Sequence, residues 1–289
     1  MPWDLIWELF RFSILAALVT GLVAPLVGSF LLARRTGFYG ITLPQFAAAG
    51  IAFGFAIQPW WEATFGGLLH PTDMGDEMHL ALSYHLAWAG TFTLGGLAVM
   101  ALAARRKDGT ETGVMAAAFA VASAATILFA QHSAEGDIFV SSLLQGEILT
   151  LDAHEFEVLA VALGLVGLLL VTFRRELVQA SYDPELCKVL GRRRWVWEAL
   201  LILLIAATVA SAVMTVGPIV LFGLLVIPPL VARPLARSMD RFLALSALVG
   251  LVTASAGIWV SFHWDWPLGP SIVVAGAMLV VPVRLTTRR

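Results

Sequence analysis

The sequence has a single cysteine, Cys187, and this scarcity limits the sites that the chain can build. One cysteine excludes an intrachain disulfide framework and any metal site with several cysteine ligands. The chain also has no G-x-x-x-x-G-K-[ST] stretch, the loop with which P-loop enzymes hold the phosphates of ATP. We therefore predict that the chain does not hydrolyse ATP, and that any energy it uses comes from another protein or from an ion gradient.

Charged residues are scarce as well, at 13% of 289 residues, while 59% are apolar and the mean hydropathy is +0.86. A soluble domain averages about 25% charged and 45–50% apolar residues. Apolar runs of about 20 residues, the length that crosses a membrane, recur along the whole chain. These features exclude a soluble protein with a few buried helices. They predict an all-α, polytopic integral membrane protein with one transmembrane domain over residues 1–289.

The apolar runs predict about nine transmembrane helices. The stretch 138–151 is too short and too mixed to cross the membrane, so we expect a re-entrant or surface helix there. The start, MPWDLIWELFR, has acids and Trp where a signal peptide has a basic region, so no signal peptide is predicted. The predicted spans are residues 5–33, 38–58, 84–104, 113–131, 154–173, 195–215, 217–233, 242–262 and 268–284.

Basic residues are nearly absent from one side of this predicted bundle. Of the 18 Lys and Arg residues, all except Arg11 fall in loops on the other side. Because cytoplasmic loops carry the Lys and Arg excess, we predict a bacterial cytoplasmic (inner) membrane protein with its N-terminus outside and its C-terminus in the cytoplasm. The lipid bilayer is the partner that this pattern predicts, and no nucleic acid is expected to bind.

The connection between the fifth and sixth predicted spans contains a region, 176–194, with helix signals of its own. Asp183 is suited to a helix N-cap, Pro184 to the first helical position and Glu185 to the first turn. Gly191 is a natural stop. Two interpretations stay open from this pattern: an ordinary solvated loop, or a short cytoplasmic helix that docks a soluble partner.

Four stretches, in order, resemble one known family. Residues 181–191 (SYDPELCKVLG) are similar to its S-[FY]-D-P-E-x-A-x-x-x-G segment, and residues 216–229 to its V-G-x-x-L-V-x-A-L-L-x-x-P motif. Residues 257–270 are similar to its G-x-x-x-S-x-x-x-D-x-P-x-G-P stretch, and residues 22–40 to its first span and basic turn. The family is ABC-3, the membrane permeases of ATP-driven bacterial importers for zinc, manganese and iron, and the similarity covers roughly residues 12–283.

This resemblance implies a homodimer of permeases that catalyses no covalent chemistry and binds no cofactor of its own. A P-loop ATPase subunit would use the ATP, an extracytoplasmic solute-binding protein would deliver the cargo, and the cargo would be a divalent metal or a metal complex. The alternative is a gradient-driven secondary transporter or channel-like protein, which would want a buried intramembrane acid or histidine. The residues implied in ATPase coupling are Ser181, Tyr182, Asp183, Pro184, Glu185, Leu186 and Gly191.

The second predicted span departs from the family. The family motif G-D-x-[LI]-x-H-[AS] has two metal ligands, and this chain has Ile41 and Gln45 in their places. No Asp, Glu, His or Cys replaces them between residues 38 and 58. The expected substrate-pathway residues here are Thr42, Pro44 and Gln45, which offer a hydroxyl, freed backbone carbonyls and an amide.

Three explanations of this departure compete. A metal ion could pass by way of these weaker oxygen donors, or the cargo could be larger or neutral, such as a chelated metal. The first two are comparable, and a third, loss of transport, is disfavoured because the docking and gating motifs are retained.

The seventh predicted span is interrupted by residues that disturb helices. Gly217 and Pro218 begin it, Gly223 lies within it and Pro228 lies near its end. A short, broken helix of this kind often lines the route of a transporter, so Gly217, Pro218 and Pro228 join the expected pathway residues. Simple kinking for packing is the alternative.

An outer loop, HPTDMGDEMH, carries imidazole and carboxylate groups that suit zinc or manganese. Their spacing fits no closed site, so an ordinary solvated loop is the competing interpretation. The candidate metal ligands in this loop are His70, Asp73, Asp76, Glu77 and His79.

Four other polar residues are given structural roles. His85 is expected at the outer membrane interface and not as a ligand. Glu198 is expected to pair with Arg194 one helical turn away, and Asp265 to form the turn after the eighth span.

Overall fold

The computed structural model describes residues 3–34, 37–65, 74–104, 111–145, 151–182 and 193–286. Within these ranges the chain forms α-helices joined by short turns, which confirms the all-α prediction. The helices are α1 (Trp3–Ala33), α2 (Gly37–Phe65), α3 (Met74–Ala104), α4 (Glu111–Ala130), α5 (Ala134–Gln145), α6 (Ala153–Thr172), α7 (Arg174–Tyr182), α8 (Arg194–Val216), α9 (Pro218–Ala232), α10 (Met239–Trp264) and α11 (Leu268–Thr286), with a 3-10 turn at Arg233–Leu235.

Eight of the described helices are long and apolar enough to cross a membrane: α1 to α4, α6, α8, α9 and α10. A ninth apolar segment, Leu268–Val283 in α11, is shorter. These nine correspond one to one with the predicted spans, because a continuous apolar run of this length can satisfy its backbone in lipid only as a helix.

Helix α5, Ala134–Gln145, covers the first part of the stretch 138–151, where a short re-entrant or surface helix was expected, and residues 146–150 lie outside the described residues. It has 12 residues, about 18 Å at 1.5 Å per residue, which is too short to cross the hydrocarbon core. Val140 and Leu143 are buried on one face of α5, and Ile138 is exposed on another.

Helices α1, α9 and α10 approach one another closely at glycines. A Cβ on Gly28 of α1 would collide with the backbone carbonyl of Leu225 in α9. A Cβ on Gly250 of α10 would collide in the same way with the carbonyl of Gly21 in α1. Small residues let helix backbones come this near in a membrane, and van der Waals contact then stabilises the packing. Helix α1 is therefore held on two sides along its length.

Helices α2, α3 and α4 pack through aromatic rings. The ring of Phe53 in α2 lies 4.9 Å from that of Trp88 and 5.3 Å from that of Phe92, both in α3. It also lies 5.2 Å from the ring of Phe129 in α4. Gly50 of α2 leaves room for the Trp88 backbone at the same crossing.

The break predicted at the start of the seventh span lies between α8 and α9. Gly217 has φ 80° and ψ 161°, a backbone conformation that glycine adopts far more readily than other residues. Its N–H still donates to the Val213 carbonyl at 3.0 Å, and Pro218 occupies the first turn of α9, where no helical N–H is needed. Helix α9 continues through Pro228 to Ala232, so the prolines near its end do not terminate it.

The turn between α10 and α11 confirms the structural role expected of Asp265. This residue caps α10 in the left-handed region with φ 56°. The Ser261 hydroxyl donates to the Trp266 carbonyl at 2.7 Å and closes the turn.

Candidate functional site

The first turns of α2 carry the expected pathway residues on a buried helix. Thr42 is 1% exposed, and its hydroxyl donates to the Phe38 carbonyl of its own helix at 3.0 Å. The hydroxyl hydrogen is therefore used inside α2, and only the oxygen lone pairs remain available to a ligand.

Pro44 lies inside α2 and changes the hydrogen bonding of the turn before it. Because proline has no N–H, the Gly40 carbonyl receives no helical hydrogen bond from position 44. Gly40 also faces α9, since a Cβ there would lie 3.0 Å from Cγ2 of Val226. The Gly40 carbonyl thus belongs to a turn that packs against α9 at Val226, two residues before Pro228 in the sequence.

Gln45 carries the most direct structural signal in this stretch. Its amide Oε1 is buried and has no hydrogen-bond partner among the described residues. A buried polar atom without a partner is costly, so most native proteins avoid one unless it has a role. The next residue, Phe46, packs against Gly96 of α3 and holds this turn against that helix.

Only one end of α9 lies against the turn of α2 that contains Thr42, Pro44 and Gln45. Val226 lies against Gly40 of α2, whereas Gly217 lies against the backbone of Leu143 in α5. The structure therefore brings Thr42, Pro44 and Gln45 near the Pro228 end of α9, and it places the Gly217–Pro218 end beside α5.

His85 is buried where helices α2 and α3 pack together. It is 6% exposed, its ring stacks on Phe55 at 4.1 Å and meets Tyr84 at 5.2 Å, and Nδ1 has no hydrogen-bond partner among the described residues. Helices α2 and α3 pack tightly at Gly54, where a Cβ would lie 3.0 Å from Nδ1 of His85. The neighbouring rings then enclose the imidazole.

The predicted outer loop is partly helical. Helix α3 begins at Met74, so Asp76, Glu77 and His79 lie in its first turns instead of in a loop. Hydrophobicity sets only the part of a helix that lies in the hydrocarbon core, so α3 can begin before the apolar run. His70 and Asp73 lie outside the described residues, and in the described part of the chain no three His, Cys, Asp or Glu residues are grouped as a metal site requires.

The arginine-bearing helix ends meet on one side of the bundle, which we call the basic side. Arg34 follows α1, and its Nε donates to the Ser181 hydroxyl near the end of α7 at 3.0 Å. A second guanidinium nitrogen of Arg34 lies 3.9 Å from Glu198 of α8. Arg194 donates to the same carboxylate at 2.6 Å, which confirms the predicted Arg194–Glu198 pair.

Burial lowers the pKa of Arg34, while the Glu198 carboxylate acts in the opposite direction. The guanidinium is therefore partly removed from water at a place where a carboxylate and a hydroxyl replace its hydration. Of the residues expected to couple to an ATPase, Ser181 and Tyr182 form the end of α7. Asp183, Pro184, Glu185, Leu186 and Gly191 lie outside the described residues.

Helix α7 packs on the rest of the basic side through one apolar face. Leu177 and Ala180 are each 1% exposed. Before its first turn, the ring of Phe173 lies 5.4 Å from that of Trp197 in α8. Val178 borders a cleft of about 440 Å³, which is also lined by Arg233 and Arg237 in the connection between α9 and α10 and by residues of α1 and α10.

A comparison with known families identifies the family of this helical bundle. The model of the ABC 3 transport family matches residues 7–286. The chain belongs to the ABC 3 transport family. The match spans every described transmembrane helix, so ABC 3 membership applies to the whole bundle.

Relatives of known name agree with this ABC 3 assignment. The chain is 23% identical over 269 residues to the high-affinity zinc uptake system membrane protein ZnuB of Haemophilus influenzae, covering 92% of this chain and 94% of ZnuB. It is 24% identical over 270 residues to the chelated iron transport system membrane protein YfeD of Yersinia pestis, covering 93% of this chain and 82% of YfeD.

A solved structure shows the same fold. PsaBC from Streptococcus pneumoniae, in complex with Fab, superposes with a TM-score of 0.74 at 20% identity, covering 96% of this chain and 92% of the PsaBC chain. The ABC 3 bundle described above is therefore a known helical architecture.

Sequence reasoning missed two features of this ABC 3 chain. The contact between Arg34 and Ser181 joins residues 147 positions apart, which no local pattern reveals. The second missed feature is helix α7. The sequence does indicate this helix, because Leu177 and Ala180 are three residues apart and so lie on one helical face.

Proposed function

We propose that this chain is the membrane-spanning permease subunit of an ATP-binding-cassette importer that moves a divalent transition metal ion or a metal complex across the bacterial cytoplasmic membrane. The family match over residues 7–286 carries this proposal. The names of ZnuB, for zinc uptake, and YfeD, for chelated iron transport, support a metal-containing cargo. The permease itself does no covalent chemistry.

The working assembly contains two copies of this chain, a P-loop ATPase subunit that uses the ATP, and an extracytoplasmic solute-binding protein. The basic side faces the cytoplasm, because that is where Lys and Arg collect in membrane proteins. The N-terminus then lies outside and the C-terminus inside. The coupling residues from Ser181 to Gly191 would contact the ATPase on this side.

The turn of α2 from Gly40 to Gln45 favours a cargo that neutral oxygen atoms can bind. The oxygen atoms there are the unpartnered Gln45 amide oxygen and the Gly40 carbonyl, which receives no helical hydrogen bond from Pro44. A bare ion with weakly held ligands and a chelated metal both fit this donor set, since carbonyl and amide oxygens suit hard or partly hydrated cations. Zinc, manganese, iron and their chelates are therefore the substrates to compare.

The test is uptake into sealed vesicles that contain the purified permease with its ATPase and solute-binding protein. Zn²⁺, Mn²⁺, Fe²⁺ and a chelate of each are offered in separate reactions, with and without ATP inside. We expect one of these substrates to accumulate only when ATP is hydrolysed. Absence of a co-purifying ATPase from native membranes would refute the importer assignment.

The burial of His85 favours a second candidate, a gradient-driven transporter. A buried intramembrane histidine is the kind of group that such proteins use to couple proton movement to transport. The same vesicles separate the candidates. A gradient-driven protein would take up substrate without ATP and would stop when a protonophore collapses the proton gradient, whereas the importer would continue.

A further inference from the structure

Arg34 occupies a junction between three elements of the basic side. It follows the last residue of α1, and its Nε donates to Ser181 near the end of α7 at 3.0 Å. Another nitrogen of the same guanidinium lies 3.9 Å from the Glu198 carboxylate in α8. The guanidinium is planar and its donors have fixed directions, so the hydrogen bond to Ser181 defines where α7 ends relative to α1. The longer ion pair with Glu198 places this contact beside α8.

The contacts of Arg34 are sheltered from solvent. The exposed fractions are 22% for the Arg34 side chain and 32% for that of Glu198. Glu198 is itself held by two hydrogen bonds from Arg194, at 2.9 and 2.6 Å. An ion pair that is partly buried and shared in a network is less screened by salt than an isolated surface pair.

Helix α1 then connects this junction to the helices of the pathway. Gly28 of α1 lies against the Leu225 backbone of α9, and Gly40 of α2 lies against the next residue, Val226. Gly21 of α1 lies against Gly250 of α10 in the same manner. Backbone-to-backbone packing of this kind has little compliance, so a displacement of the end of α1 would be passed to α9 and α10.

We propose that Arg34 is a positioning residue that joins the coupling segment beginning at Ser181 to α1, so that movement of that segment by the ATPase reaches the pathway helices. The inference rests on the proposed function, because it assigns a role within ATP-driven transport. Arg34 contacts neither cargo nor ATP in this role. It acts through Ser181 on one side and through α1 on the other.

The basic side provides a matched control at the other end of α7. Arg174 pairs with Asp240 at 3.2 Å, and the exposed fractions are 39% and 65%. This pair also joins α7 to another helix through an arginine, but it is open to solvent. Arg174→Gln therefore removes an arginine of the same side without touching the Ser181 junction.

The experiment measures metal or chelate taken up per ATP hydrolysed by the complete complex in vesicles. Five variants are compared with the wild-type chain: Arg34→Gln, Arg34→Lys, Ser181→Ala, Ser181→Thr and the control Arg174→Gln. We expect Arg34→Gln to lower the ratio about tenfold, as loss of a charge-assisted contact implies. Arg34→Lys keeps the charge but loses the fork and should recover only part of the ratio. Ser181→Ala should lower it about threefold, and Ser181→Thr, which keeps the hydroxyl, should restore it.

Thermal stability and the amount of co-purified ATPase are measured on every variant. A wild-type ratio in Arg34→Gln, or an equal loss in Arg174→Gln, would overturn the proposal. If Arg34→Gln does not fold, the Ser181 pair decides: equal ratios for Ser181→Ala and Ser181→Thr would overturn it. Absence of the ATPase from the wild-type preparation would instead refute the proposed function, and this inference with it.

Discussion

The turn of α2 around Gln45 and the arginine cluster of the basic side treat their polar groups in opposite ways. The Gln45 amide oxygen is buried without a partner in the described residues, and the Gly40 carbonyl receives no helical hydrogen bond from Pro44. Arg34 instead has a hydroxyl at 3.0 Å and a carboxylate at 3.9 Å. Open, neutral oxygens suit a ligand that must bind and leave, whereas closed, charged contacts suit the transmission of movement.

The same comparison explains why the turn of α2 has uncharged oxygen atoms, whereas the charged side chains lie on the basic side. An ion in the apolar interior costs several kcal/mol unless it is paired. At the membrane edge the cost is smaller, and Arg194 and Glu198 can form a network with Arg34. The uncharged oxygens of the α2 turn and the charged groups of the basic side are therefore two results of one desolvation cost.

The largest effect is expected from Gln45→Met, which keeps the length of the side chain and removes the unpartnered oxygen. Transport should fall at least tenfold, since the ligand loses an oxygen donor. The free energy of unfolding should rise by about 1 kcal/mol, because a buried unsatisfied group is removed. Uptake assays and thermal unfolding measure the two effects on one preparation. Lower stability with unchanged uptake would show that Gln45 has a structural partner and no role in the pathway.

A smaller effect is expected from Pro44→Ala. The new N–H can donate to the Gly40 carbonyl, so α2 should become more regular and more stable by about 1–3 kcal/mol. Uptake should fall severalfold because the free carbonyl is lost. Pro59→Ala, at the other proline inside α2, is the matched control, since it lies away from the Gln45 turn. Equal losses of uptake in both variants would contradict a specific role for the Gly40 carbonyl.

The third effect in order of size is expected from Glu198→Gln on the basic side. The variant removes the carboxylate shared by Arg34 and Arg194, so stability should fall by about 1 kcal/mol. Uptake per ATP should fall about threefold while binding of substrate is retained. Equilibrium binding of the offered metal or chelate, measured beside uptake, separates the two effects. A loss of binding equal to the loss of uptake would place Glu198 in the pathway and end the contrast between the regions.

The smallest effect is expected from Thr42→Val. The Thr42 hydroxyl donates to its own helix at Phe38, and valine fills nearly the same volume. Uptake should change less than twofold, and stability by less than about 1 kcal/mol. The measurement is the same uptake assay, with Gln45→Met run beside it. A tenfold loss would show that the Thr42 oxygen binds the cargo and that the donor set is larger than Gln45 and Gly40.

Much of the fold could be predicted from local patterns. The nine apolar runs correspond to nine helices because hydrocarbon leaves the backbone of a spanning segment little alternative. The break at Gly217 and the turn at Asp265 could also be predicted, since glycine followed by proline and a short polar cap have direct backbone consequences. The Arg194–Glu198 pair could be predicted from helical spacing.

The environment of single polar side chains was less predictable. The ring contacts of His85 with Phe55 and Tyr84 could not be predicted, because they depend on how closely α2 and α3 approach at Gly54. Asp76 was expected in a loop and is helical, because the length of a helix beyond the membrane is not set by hydrophobicity.

Composition, continuous apolar runs and charge placement were enough to establish a helical membrane bundle with a basic side, because membrane insertion acts on each segment separately. Only the packed bundle places Arg34 beside Ser181, 147 residues away, and the Pro44 turn beside α9. Those contacts depend on which helices come together and at what depth. The pairing and depth of the helices are decided by side-chain packing across the whole molecule. No single stretch of the sequence contains that information.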